Sequence, residues 1–301
     1  MDYRTRRARR SRILHAVLVV IGPVVRRLPL AVARAVGLVL GHIAWHVARR
    51  ERKQAMENLA AAFPDWGVRR RRVTVRNMFH HFGKSAMESL WLPNLDRQTL
   101  ERTTEIHGAE LIEQALSAGR GVLIFTGHCG NWEWFAATVA LLGYPLSALQ
   151  RERNEPDLNR FITELRARFG IRTLDRGSPD CARLMIRALR DNTLLAFLLD
   201  QNIRAESVKV PFFGKAALTP IGPAKLAVRT EAPVIVGFIE RRGNKHVVRF
   251  EPPIATTRAC DPVEITARIT ASIEQHIRSV PEQWVWVHRR WRERPKWEVK
   301  R

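Results

Sequence analysis

From about residue 100 the chain alternates short apolar runs with longer stretches in which apolar residues recur at helical spacing. The runs GVLIFTG (121–127), PLSALQ (145–150), GIRTL (170–174), TLLAFLLD (193–200), APVIVGFIE (232–240) and HVVRFEP (246–252) read as strands. Most are apolar throughout rather than alternating, the pattern of strands covered on both faces. Between them NWEWFAATVALLG and RFITELRARFG read as helices. Three helix starts are signalled, at Ser178–Pro179–Asp180, Thr219–Pro220 and Asp261–Pro262–Val263–Glu264. Each offers a short polar cap followed by proline, and the third adds an acid three positions after the cap. Strands separated by helices predict an α/β fold with a largely parallel mixed sheet flanked by helices.

Upstream the pattern differs. Residues 28–48, LPLAVARAVGLVLGHIAWHVA, reach the ~20 residues that cross a bilayer, yet they carry Arg34, His42 and His46, which a free-standing span tolerates poorly. Before them ILHAVLVVIGPVV (13–25) follows the basic run MDYRTRRARRSR. A signal peptide has that order, but no A-x-A-like site follows; Arg26, Arg27 and a second apolar segment do. The two segments predict a membrane-associated helical hairpin, or a tilted anchor plus an interfacial helix. Their basic flank favours the cytoplasmic side and anionic headgroups. A helical pattern pauses at Pro64–Asp65 and resumes through VRRRRVTVRNMFHHFGKSAMESLWL. The expected organisation is therefore a basic arm with membrane-anchoring helices over 1–65 and an α/β domain over 66–301.

Charge narrows the partners without choosing among them. Against 29 acidic residues stand 51 basic ones, a net +22. Nucleic acid, an anionic leaflet, a phosphorylated lipid and an acidic carrier protein all suit that excess. The run Arg69–Arg72 reads equally as a docking patch or as a solvated helix start. Cys129, Cys181 and Cys260 lie far apart, so neither a C-x-x-C zinc pair nor a disulfide framework is expected.

Candidate chemistry concentrates in TGHCGNWEW, residues 126–134. The stretch sits where an apolar strand meets a helix, and Gly127 and Gly130 permit a sharp turn there. Ligand sites in open α/β sheets lie outside the carboxyl ends of the strands. Residues five apart within one helix point about 140° apart. With His128 in the turn and Glu133 in the first helical turns, the chain can instead fold back and bring carboxylate to imidazole. Glu133 would then fix the tautomer of His128, leaving the other nitrogen as a general base. No G-x-S-x-G elbow supplies a nucleophile, and Cys129 reads as a small packed residue. A base without a nucleophile suits direct transfer to an acceptor that brings its own hydroxyl. H-E-x-x-H is absent, and no metal is expected.

TGHCGNWE resembles the H-x-x-x-x-[DE] motif of glycerolipid acyltransferases, in the G-H-x-G-N-W-E form of the lipid A biosynthesis lauroyl/myristoyl acyltransferases. The likeness extends to RLPLAVARAVGLVLGHIAW…ENLAAAFPD, to LLDQN (198–202), to VPFFGKAALTPIGPAKLAVRTEAPVI (210–235) and to PEQWVWVHRRWRERP (281–295). The resemblance implies a glycerol-3-phosphate acyltransferase-like fold. It also implies transfer of a fatty acyl group from acyl carrier protein, or acyl-CoA, to a hydroxyl of a phosphorylated glycolipid. The implied place is the cytoplasmic face of a bacterial inner membrane, with an anionic membrane surface as a partner and no cofactor. His128 and Glu133 become the catalytic pair. Arg151 and Arg166 match positions that are usually Arg in the family, suited to an oxyanion or a phosphate. Asp200 and Gln201 match its D-Q pair, and Phe212, Phe213 and Thr219 would line an acyl or acceptor channel. Trp284, Trp286 and Trp291, interleaved with arginines, suit a lipid interface, and His288 either a structural or a phosphate-facing place. Other lipid acceptors, mannosylated phosphatidylinositols among them, fit the same motif. A nucleic-acid-binding protein would explain the charge but not the dyad, the sheet pattern or the apolar start.

Overall fold

The computed structural model describes residues 20–150 and 156–293. Eleven helices are named in chain order: α1 (Gly22–Arg27), α2 (Leu30–Val47), α3 (Arg49–Ala62), α4 (Val68–Trp91), α5 (Arg97–Thr103), α6 (Glu110–Leu116), α7 (Trp132–Leu141), α8 (Pro156–Arg168), α9 (Cys181–Arg190), α10 (Gly222–Thr230) and α11 (Pro262–Ser279). The strands are β1 (Thr104–His107), β2 (Val122–Thr126), β3 (Leu146–Gln150), β4 (Arg172–Asp175), β5 (Leu194–Leu198), β6 (Ser207–Phe212), β7 (Lys215–Pro220), β8 (Val234–Arg242) and β9 (Lys245–Phe250). Seven of them form one sheet in the order β1-β9-β8-β2-β5-β3-β4. Every neighbouring pair is parallel except β8 and β9, which a tight turn at Gly243 joins antiparallel. The expected mixed α/β sheet is present.

The apolar runs have a physical reason. In central β2, Leu123 and Phe125 face a core shared with α11, α10 and α3, whereas Val122 and Ile124 face one shared with α7, α6 and the end of α4. Every residue of β2 is buried, so neither face leaves room for a polar side chain.

All six expected strands form, within two residues at the ends. Two features departed from the expectation. β1 is a four-residue edge strand, TEIH, too short and too polar to stand out, and it pairs with β9. β6 and β7 form a separate antiparallel hairpin around Phe213–Gly214, where both residues have positive φ (54° and 70°). Two consecutive left-handed residues make the tight turn whose twist suits a two-residue hairpin.

Of the three expected helix starts, one holds as read: Asp261 accepts from the Val263 amide at 2.8 Å, with Pro262 first in α11 and Glu264 in its first turn. The other two shift. Ser178 closes a turn by accepting from the Asp180 amide at 3.3 Å, and α9 begins only at Cys181 without a side-chain cap. Thr219 and Pro220 end β7, and α10 begins after Ile221. Pro179 thus marks the turn before α9, while Pro220 closes β7 and it is Pro223 that sits in the first turn of α10.

The N-terminal helices lie on the α/β body. α2 runs along α4, and glycines set how closely. A Cβ on Gly37 would stand 2.5 Å from the Gly83 carbonyl oxygen, and one on Gly83 would stand 2.1 Å from that of Gly37. Helix α2 thus buries Ala33, Arg34, Gly37, Gly41 and Trp45 and leaves Val32, Val36, Val39, Ile43 and Val47 exposed on another face. The buried Arg34, awkward in a bilayer span, points into the protein: its Nε donates to Glu88 at 2.6 Å.

Candidate active site

The register of β2 and β5 builds the site. Thr126 lies beside Leu198 in that parallel pair, so the residues two positions beyond each, His128 and Asp200, leave the sheet edge together. His128 Nδ1 stands 2.7 Å from Asp200 Oδ1, and the His128 amide donates to Asp200 Oδ2 at 2.7 Å. Trp284 Nε1 donates to the same Oδ2 at 2.6 Å. Three donors therefore converge on one fully buried carboxylate. Burial alone would raise its pKa; the attraction of His128 and hydrogen bonds from His128 and Trp284 outweigh that and bring Asp200 down to about 2. An ionised Asp200 only accepts, so Nδ1 of His128 carries a proton and the neutral ring keeps its lone pair on Nε2. The imidazole is partly exposed, its other neighbour being the Trp132 ring, edge-on at 5.1 Å.

This corrects the expected role of Glu133. It lies in the first turn of α7, as the motif suggests, but its carboxylate meets Arg166 rather than His128. Arg166 Nε and Nη2 donate to Glu133 Oε2 and Oε1 at 2.9 and 2.7 Å, and Nη1 donates to Gln150 Oε1 at 3.0 Å. Both partners are nearly buried. Arg166 is thus committed to tying α8, the end of β3 and the start of α7 together, and Asp200 takes the orienting place. Gln201, beside Asp200, is half-buried. Arg151 lies outside the described residues.

The turn between β2 and α7 admits little else. Gly130 has φ +66°, and a Cβ there would stand 2.1 Å from the Ile239 carbonyl oxygen. Its amide donates to Gln283 at 3.0 Å, and Cys129 forms an isolated bridge with Trp284. Cys129 is buried, and burial pushes its thiol well up, so it is a packing residue as expected. Asn131 caps α7 by accepting from the Trp134 amide at 3.2 Å and donates to Glu88 Oε2 at 3.0 Å. Glu88, fully buried, also pairs with Arg34, Arg241 and His246, so one carboxylate links α2, α4, β8, β9 and the α7 cap. Burial would raise it, yet His246 and the Arg241 hydrogen bonds hold it well below the carboxylate range.

The expected channel residues turn out to be core. Phe212 and Phe213 are buried against Trp284, Trp286 and Trp291, and Thr219, also buried, accepts from Arg290 through Oγ1 at 2.5 Å. The lipid-interface reading of those tryptophans fails too. Trp284 and Trp286 are fully buried, and Trp291 donates to the Phe212 carbonyl at 3.2 Å. The block acts as a wedge that seats Asp200, the partner of His128. A narrow apolar crevice of about 30 Å³ lies instead between α7 and the sheet, lined by Thr126, Trp132, Phe135, Val139, Leu146 and Arg166 among others. Trp132, one of its lining residues, stands edge-on to His128. A second, polar cleft of about 410 Å³ lies beside His288.

Residues 4–293 match the family described as bacterial lipid A biosynthesis acyltransferase. The chain is 27% identical over 247 residues to a lipid A biosynthesis acyltransferase of Haemophilus influenzae, covering 80% of this chain and 76% of that one. It is 28% identical over 274 residues to the lipid A biosynthesis lauroyltransferase of Escherichia coli (89% and 88% covered). A phosphatidylinositol mannoside acyltransferase of Mycolicibacterium smegmatis is 25% identical over 219 residues, 72% of each chain.

Proposed function

Since the chain belongs to the bacterial lipid A biosynthesis acyltransferase family and is an acyltransferase, we propose that it moves a fatty acyl group from acyl carrier protein to a hydroxyl of a lipid A precursor by direct general-base catalysis. The observation that carries the mechanism is the His128–Asp200 pair, which leaves Nε2 as the base, while Cys129, the cysteine next to it in sequence, is buried. Nε2 of His128 takes the proton of the acceptor hydroxyl as its oxygen attacks the thioester carbonyl carbon. Asp200 stabilises the imidazolium that forms. The tetrahedral oxyanion collapses, the C–S bond breaks, and the leaving thiolate recovers the proton from His128. General-base catalysis of this kind contributes about 10²–10⁴-fold. Glu133 and Arg166 hold the start of α7, and Arg151 and Gln201 remain candidates for binding substrate. The crevice lined in part by Trp132 offers the acyl chain a path along the sheet, provided α7 moves outward.

The exposed stripe of α2 supports a membrane location of a particular kind. The helix is long and apolar enough to cross a bilayer, with a mean hydropathy of 1.5 over its 18 residues. Its glycine face, however, is occupied by α4, whose own surface carries Arg70, Arg72 and Arg76. On this reading α2 rests on the cytoplasmic face of the inner membrane, its contact made by Val32, Val36, Val39, Ile43 and Val47.

The test incubates the purified protein in micelles with acyl carrier protein and acyl-CoA donors and with lipid A precursor or mannosylated phosphatidylinositol acceptors, and reads products by mass spectrometry. Transfer to the lipid A precursor, lost in a folded His128→Ala variant, is expected. Acyl label retained covalently on the protein would overturn direct transfer.

A further inference from the structure

The cleft beside His288 is lined by none of the residues that hold the catalytic pair. Its walls come from three distant parts of the chain: the first turns of α3 (Arg50, Glu51, Gln54), the loop after β5 (Asn202), and the C-terminal wedge (His288, Arg289, Arg292). Three arginines against one glutamate make it cationic, and Arg289 is braced by its Nε donating to Gln54 Oε1 at 3.0 Å.

Its position relative to the base follows from one short loop. Asp200 holds His128, and two residues later the Asn202 amide donates to His288 Nε2 at 3.0 Å. His288 is lowered to about 4, first by burial, with Asp200 opposing and His128, Arg290 and Arg292 adding to the effect. It is therefore neutral at pH 7, and with Nε2 accepting, its proton sits on Nδ1 as a donor. The cleft and the catalytic pair are neighbours.

The start of α3 is also unusual. Helix N-termini carry a partial positive charge and favour acids. Here Ala48 gives no side-chain cap, and the first four residues are Arg49, Arg50, Glu51 and Arg52. Gathering cations where the dipole opposes them makes sense when an anion joins them. Val47, 72% exposed, ends the apolar stripe three residues before Arg50, so the cleft opens where α2 leaves the proposed bilayer surface, at headgroup level.

We propose that this cleft is a phosphate-ester subsite: Arg50, Arg289 and Arg292 seat a phosphate of the lipid acceptor's headgroup and so place its hydroxyl at His128. The inference rests on the acyltransferase reading above. It gives the basic C-terminal cluster a task that the catalytic pair does not perform.

The test is an Arg50→Gln, Arg289→Gln double variant, both side chains being exposed. With donor saturating and a phosphorylated glycolipid acceptor in micelles, KM for the acceptor is expected to rise at least tenfold while kcat stays within twofold. With the same acceptor dephosphorylated, wild type and variant should coincide. An Arg97→Gln, Arg102→Gln control removes the same charge from α5 and should leave KM unchanged. An unmoved acceptor KM, an equal rise in the control, or a rise in the donor's KM instead would each overturn the proposal. Should the wild type transfer no acyl group to any acceptor, the acyltransferase reading fails and calorimetry decides on the cleft alone. Soluble dihexanoyl phosphatidic acid should then bind at least tenfold more tightly than dihexanoyl phosphatidylcholine, and that preference should vanish in the double variant. Equal binding of the two lipids, or a preference the variant keeps, refutes the subsite.

Discussion

An Asp200→Asn substitution keeps the side chain's size and removes one acceptor. In the native site Oδ2 accepts two N–H groups, from His128 and Trp284, and Oδ1 faces His128 Nδ1. An asparagine has one carbonyl oxygen, and the two fixed donors claim it. Its amide nitrogen then faces Nδ1 at about 2.7 Å and requires that atom to accept. The imidazole proton moves to Nε2, the atom that must act as base. The expected loss in kcat is the general-base factor, about 10²–10⁴-fold, or about 3–5 kcal/mol of transition-state stabilisation. The readout is single-turnover acyl transfer from a radiolabelled donor by a variant whose circular dichroism and melting transition remain cooperative. Glu133→Gln, assayed alongside, should cost far less, because Arg166 rather than His128 is the partner it weakens. A folded Asp200→Asn enzyme that keeps a third of wild-type kcat refutes the reasoning. So does a Glu133→Gln enzyme that is the more damaged of the two.

Three other outcomes follow from the packing. Gly130→Ala forces a Cβ against the Ile239 carbonyl at a positive φ, and should cost upwards of 2 kcal/mol by urea denaturation, whereas Gly119→Ala, with nothing within 4 Å, should pay only for its own positive φ. Arg166→Ala leaves the nearly buried Glu133 carboxylate unpaired and should cost about 3–5 kcal/mol; adding Glu133→Gln to it should recover part of that loss. His81 and His276 are lowered to about 3 and about 4, chiefly by burial, with Arg241 and Arg249 respectively adding to it. Both are neutral when folded and take up protons on unfolding below about pH 6.5, so their contribution is complete above that pH and falls with acid, by about 2 kcal/mol each at pH 5. Thermal melts between pH 7 and pH 5 check this, and replacing either histidine by an isosteric neutral residue should flatten the slope.

The sheet was legible because burial on both faces writes short apolar runs, as in Val122–Thr126 and Leu194–Leu198, whereas the apolar stretches upstream of residue 50 are too long for strands. The hairpin at Phe213–Gly214 was not, since a phenylalanine at positive φ gives no turn signal and its amide is held by distant Glu274. His128 was legible as a site candidate from its place at a strand end. Its partner was not, because Glu133 stands five residues away in sequence and Asp200 seventy-two, and only the pairing of β2 with β5 brings the latter in. One clue was present: LLDQN, like TGHC, follows directly on an apolar run, and two polar residues leaving adjacent strand ends in register will meet. Trp284 was misplaced for a related reason. A tryptophan among arginines resembles an interfacial residue until the fold shows that its indole N–H has a buried carboxylate to satisfy.

That leaves the question of why an acid stands five residues after the proposed base, His128, if it does not touch it. In the first turn of α7 a carboxylate is favoured by the helix dipole and complements Asn131, which caps the same turn. A nearly buried acid needs a partner, and Arg166 reaches it with two parallel hydrogen bonds, the geometry a guanidinium and a carboxylate share. The third donor of Arg166 takes Gln150 at the end of β3, so α7, α8 and the sheet edge are fixed together at the wall that also carries Trp132. Asp200 sets the proton on His128, while Glu133 sets the place of the helix that begins beside it. A spacing of five then reflects the length of the turn, in which Gly130 and Asn131 are each constrained by contacts of their own, rather than the reach of a carboxylate to an imidazole.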